Sequence, residues 1–166
     1  MSYNSKDKNG TKPTKKKVER TFEKSDELQK LAERVIKEQN LDVSKAKIEY
    51  LLVYPNVSKT VAGRCIRTGR ELKFYSDKDY LIEMSGELWD NLEESVRYVL
   101  MQHEIMHVLP VENEKTGDMQ YKIRAHDVED FSKIIKTHGH DWISKVKLTI
   151  SSIYDLTPSE EDSITI

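Results

Sequence analysis

The chain has 166 residues, 37% of them hydrophobic and 34% charged, with a formal net charge of −2, which reads as a soluble globular protein with one core and tails. No apolar run approaches the ~20 residues of a membrane span, which excludes an integral membrane protein built from helices. The single cysteine, Cys65, excludes an internal disulfide and a cysteine-built zinc site, so any metal must rely on histidine and carboxylate.

Residues 1–24 read as a disordered basic arm. Residues 1–25 carry 8 Lys/Arg against 3 Asp/Glu, with Lys15-Lys16-Lys17, Gly10 and Pro13 and almost no apolar side chains. Such an arm solubilises the protein, and its charge also suits a weak, salt-sensitive contact with nucleic acid. The start Met1-Ser2-Tyr3-Asn4-Ser5-Lys6 has no apolar stretch of a secretory signal, so the expected location is cytoplasmic.

Ser25 is a good N-cap, with Asp26 and Glu27 in the first turn, where acids complement the helix dipole. Leu28, Leu31, Ala32, Val35 and Ile36 then form one apolar stripe, which predicts a packing helix to about Asn40. The run Ile48–Tyr54 is rich in β-formers and is stopped by Pro55. Residues 61–66, a turn at Thr68-Gly69-Arg70 and residues 72–75 predict a second extended region, and residues 80–84 a third strand before Gly86. A long helix is predicted over about 90–108, closed by Leu109-Pro110. Residues 111–125 are a polar excursion with Gly117 at a turn. Another helix is predicted from Asp127, with Val128, Phe131, Ile134 and Ile135 inward and Gly139 as terminator. Trp89 and Trp142, each among apolar neighbours, read as core anchors. Residues 148–166 carry four acids and no Lys/Arg, and read as an acidic C-terminal tail. The expected fold is α+β over residues 25–147, a small β-sheet packed beside one central helix, plus flanking helices.

The central helix carries the most informative residues, His103-Glu104-Ile105-Met106-His107. Four residues apart on a helix, two imidazoles stand one above the other and can reach one Zn²⁺, while Glu104 lies one step round, aimed at a water on that metal. Leu92, Val96, Val99 and Leu100 lead into His103 and His107 on one face, so the histidines point towards the protein body. In this pattern Glu104 is the general base of a zinc peptidase.

Two histidines leave a catalytic zinc one protein ligand short. The extended metzincin pattern would need Gly at 110 and His at 113, where this chain has Pro110 and Asn113. The remaining candidates are His126, Glu129, His138 and His140. His126 sits at a turn before the following helix that can bring it over the metal face, and Glu129 is the alternative as a carboxylate ligand. His138 is explained by the dipole at a helix C-terminus, and His140 reads as a surface residue. Asp127 and Asp130 are candidate acceptors for the second nitrogen of a metal-binding imidazole, although N-capping explains Asp127 equally well.

The run from Tyr80-Leu81-Ile82-Glu83 through Leu88-Trp89-Asp90, the HExxH residues, His126-Asp127-Val128-Glu129-Asp130-Phe131 and Gly139 resembles the putative phage metallopeptidase domain. The resemblance covers about residues 45–145. It implies a zincin-like fold, a phage or prophage source, and His126 or an acid beside it as third ligand. More distantly, the layout is similar to the SprT-like proteases that act near DNA. The expected function is a zinc-dependent peptidase acting on protein or peptide, with no membrane partner. An alternative from a different class is a non-catalytic zinc-containing phage protein that binds a host protein or DNA.

Overall fold

The computed structural model describes residues 18–127 and 130–166. Two small sheets and seven helices make up the described residues, and none of these helices is long and apolar enough to cross a membrane. The larger sheet contains β1 (Thr21–Lys24), β2 (Ile48–Tyr54), β3 (Gly63–Arg67) and β4 (Tyr80–Ser85) in the order β1-β2-β4-β3. The strand β4 runs parallel to β2, with Ile48 opposite Tyr80 and Val53 opposite Ser85, and β1 and β3 form antiparallel edges. Thr21–Lys24 therefore belongs to the fold rather than to a basic arm, because its backbone completes the free edge of β2. The rest of that predicted arm, residues 1–17, lies outside the described residues, and with it the proposed nucleic-acid contact, which nothing in the fold supports.

The strand β4 is covered on both faces. Tyr80, Ile82 and Met84 are fully buried on one side, while Glu83 is buried on the other and pairs with Arg64 at 2.6 Å. The packing helix α1 (Asp26–Gln39) follows its sequence signals closely. Ser25 Oγ accepts from the Leu28 N–H, Leu28, Ala32 and Val35 are buried, and Asn40 closes the helix in the left-handed region.

Further expectations need correction. Residues 72–75 are not extended but lie in a short helix, α2 (Arg70–Ser76), between β3 and β4; Phe74 and Tyr75 are exposed there, so their apolar character reports no burial. The single long helix is two, α3 (Gly86–Asn91) and α4 (Glu94–Met106), because Leu92 turns to extended backbone and puts its side chain into the core. The chain leaves helix at Met106 rather than near Pro110, and the polar excursion is an antiparallel hairpin of β5 (Val108–Glu112) and β6 (Met119–Ile123), turned at Gly117 with φ +72°. Proline is tolerated at 110 because β5 has a partner on only one side.

The last corrections concern the chain after the hairpin. The helix predicted from Asp127 is α5 (Ser132–His138), with the Asp127 carboxylate accepting from the Ser132 N–H and hydroxyl, and Gly139 at its end. The predicted acidic tail is packed structure. It begins inside α6 (Asp141–Ile153), whose Trp142, Val146 and Ile150 form a buried stripe, continues through α7 (Pro158–Glu161), and ends with Ile164 in the core. Acid side chains face water while the apolar residues between them fill the core, so net charge alone misreads the segment.

The core lies between the four-stranded sheet and the helices α1, α3, α4 and α6, and α4 touches α1, α5, α6 and β3. Truncating Ile82, fully buried on β4, is expected to destabilise the protein by about 2–5 kcal/mol, read as a lower urea midpoint at unchanged slope.

Candidate metal centre

From Tyr98 to Met106 every residue of α4 is buried, so the last two turns of the helix run through the interior. His103 and Glu104 are each 1% exposed, and His107, the cap residue that follows, is half-buried. Beyond His107 the chain makes the β5–β6 hairpin, whose register sets Ile123 opposite Val108. That pairing returns the chain to where it left the helix: the Arg124 N–H donates to the His107 carbonyl at 2.8 Å, and the His107 Nδ1–H donates to the Arg124 carbonyl at 2.7 Å. Two residues later His126 stands over the helix end.

The three imidazoles converge. His126 Nε2 lies 3.1 Å from His103 Nε2 and 3.2 Å from His107 Nε2. A single ring nitrogen cannot serve both neighbours through hydrogen atoms in good geometry. Three ligands of a tetrahedral ion at Zn–N distances of about 2.0–2.1 Å would be about 3.3 Å apart, so the observed triangle has the size of a metal site. One ligand atom from each of His103, His107 and His126 falls within 4.8 Å of the others, a group that can hold a metal ion.

The opposite ring nitrogens are held in a way that frees the converging ones. A carbonyl oxygen only accepts, so the Arg124 contact places the proton of His107 on Nδ1 and leaves Nε2 with its lone pair. His103 Nδ1 donates to Asp130 Oδ1 at 2.8 Å, and the same oxygen accepts from the Phe131 N–H at 2.6 Å. Burial pushes the Asp130 carboxyl up, but the hydrogen bonds from His103 and Phe131 outweigh it and hold the group below the usual carboxylate range. Burial lowers His107 to about 4 and lowers His126 as well, so both rings are neutral at pH 7 and available as ligands. The ring of Phe131 stands 5.0 to 5.4 Å from all three imidazole centroids and walls the site on one side.

Glu104 differs from every other buried acid of the described residues in one respect. No side chain hydrogen-bonds to its carboxylate, and the backbone of Cys65 is the donor that acts on it. Burial pushes its carboxyl up to about 7, with neighbouring His103 and the Cys65 N–H pulling the other way. Room for it is made by Gly63 on β3, where a Cβ would stand 2.9 Å from Glu104 Oε1 and 2.8 Å from Met84 Sδ.

The residues expected at the site divide clearly. His103, His107 and His126 are brought to one place, the Glu104 carboxylate is placed against Gly63 and acted on by His103, and of the two candidate acceptors Asp130 reaches an imidazole while Asp127 caps Ser132 instead. Glu129, the alternative ligand, lies outside the described residues, as does Val128. His138 is elsewhere, within 3.0 Å of Gln102 Oε1, and His140 is exposed. Sequence reasoning missed the Arg124 carbonyl, which as backbone carries no residue signal, and Gly63, whose one trace is a glycine interrupting an otherwise β-forming run. Replacing Gly63 by valine is expected to displace Glu104 and to cost about 1–3 kcal/mol in a denaturant titration.

No curated protein and no solved structure matches the chain. The model of the family described as putative phage metallopeptidase matches residues 20–154. That span runs from the first strand to the end of α6 and holds all three converging histidines and Glu104, so the chain belongs to this phage metallopeptidase family.

Proposed function

We propose that this protein is a zinc-dependent metallopeptidase that hydrolyses peptide bonds, with His103, His107 and His126 as metal ligands and Glu104 as general base. The observation that carries the reading is the meeting of three Nε2 atoms at 3.1 to 3.2 Å in a chain of a metallopeptidase family. Three imidazoles are a donor set suited to zinc, and they leave the fourth tetrahedral position for water. A bound zinc would make that water acidic and polarise the scissile carbonyl.

The protein's own residues do the rest. Asp130 and the Arg124 carbonyl fix the tautomers of His103 and His107, so that each presents a lone pair to the same point. Glu104, buried and with no side chain paired to it, takes a proton from the attacking water and passes it to the departing amine. The edge strand β3 lies next to α4 with no further strand paired to it among the described residues, which suits an extended peptide as substrate. The family description also supports a phage or prophage source, and with it a working place in the host cytoplasm.

Two substitutions test the assignment. Glu104→Gln is expected to keep bound zinc at one per chain while lowering cleavage of an unfolded protein substrate by about 10²–10⁴. An undiminished rate would rule Glu104 out as the base. Asp130→Asn is expected to weaken zinc affinity by about 10–100-fold in a competition titration with a chelator, since His103 loses the carboxylate that orients it.

A further inference from the structure

Beside the three histidines lies a cavity of about 390 Å³. One wall is His103, His126, Asp130 and Trp142, and another is residues 164–166. These residues reach the site by strand pairing. Thr165 bridges Val61 in parallel, its N–H donating to the Thr60 carbonyl at 2.8 Å and its carbonyl accepting from the Ala62 N–H at 3.2 Å. Ala62 directly precedes Gly63, the residue that makes room for the Glu104 carboxylate. The backbone that leads into the edge strand, one residue before Gly63, is thus already paired by a segment of the same chain.

The attachment of this segment is narrow. Ile164 is 7% exposed, Thr165 is exposed, and Ile166 is half-buried. Two backbone hydrogen bonds to residues 60–62 and two isoleucines hold it against the site, and the Ser163 and Ile164 N–H groups donate to the Glu160 and Glu161 carbonyls of the preceding α7, a helix of only four residues. The matched family region ends at residue 154, so the segment also lies outside it.

We propose that residues 163–166 are a built-in occupant of the peptide-binding edge, seated where the backbone of an extended substrate with aliphatic side chains would pair, so that substrate has to displace them. The inference rests on the peptidase reading above. It adds that the resting protein is partly closed, and that aliphatic residues, which already fill this place, are the side chains the groove accepts. An occupant that must leave lowers the apparent affinity of a competing peptide by the fraction of molecules in which the edge is free.

The test uses the zinc-loaded full chain and an isoleucine-containing tripeptide hydroxamate as probe, with amide hydrogen exchange and binding affinity as readouts. Binding is expected to speed exchange of the Thr165 amide at least about tenfold while the Ala62 amide stays protected, its N–H now paired with the probe. Thr165→Pro, which removes the N–H donated to Thr60, is expected to bind the probe about tenfold more tightly. Probe binding that leaves Thr165 exchange unchanged overturns the occupant and makes residues 163–166 a fixed wall of the cavity. Equal affinity in parent and variant overturns it as well. Absence of any zinc-dependent binding in both proteins overturns the peptidase reading together with this one. The exchange measurement needs only the parent protein, so the outcome does not depend on the variant folding.

Discussion

Ring nitrogens that each turn a lone pair towards the same point repel one another unless a cation shares them, and this constraint organises the centre of the molecule. The triangle of His103, His107 and His126 is held by groups that act on the far side of two of the rings. The Asp130 carboxylate and the Arg124 carbonyl each take an Nδ1 proton and so direct an Nε2 inward. Those two groups come from opposite flanks of His126, one at the end of the β5–β6 hairpin and one at the threshold of α5. The hairpin register and the helix that follows are therefore part of the site, although neither supplies a converging atom itself.

Glu104 shows the same dependence on surroundings. A carboxyl with no partner inside a protein is costly, and most buried acids of this fold avoid the cost: Glu83 is paired with Arg64, Asp79 with Lys73, and Asp130 with His103. Glu104 has no paired side chain, in a niche that exists only because residue 63 has no side chain of its own. A buried acid kept without a counter-charge within a well-packed core is where a fold gives up stability for chemistry, and this one is acted on by His103 of the imidazole triangle.

The sheet serves this arrangement by its order. With β2 and β4 in the middle and β3 at the edge, the strand next to α4 has no further strand hydrogen-bonded to it among the described residues, although β6 touches it, and the residues leading into it are met by residues 163–166. Under the proposed function that edge is where substrate binds, and its partial occupation by residues 163–166 links the last packed segment to access. A segment that looks like a solubilising tail by charge thus takes part in the core through Ile164 and in the site through the backbone of Thr165.

The sequence by itself determined the parts whose signals are local. The stripe of α1 and its Ser25 cap and the β-formers of β2 and β4 each depend on residues within one or two turns of one another, and each appears where expected, whereas the HExxH residues run past the helix, with His107 as its cap. His126 and Asp130 were legible as candidates because their residue types suit a metal and its supporting acceptor. The tertiary structure alone decided that His126 meets the other two, since that follows from hairpin register across 17 residues of chain. It also decided the break at Leu92, the helix over Arg70–Ser76 and the packing of the C-terminal segment. At Leu92 and in the C-terminal segment, burial against a distant element outweighs a weak local preference, and composition carries no record of which distant element that will be, whereas Arg70–Ser76 buries no side chain and its β-forming residues meet no strand to pair with.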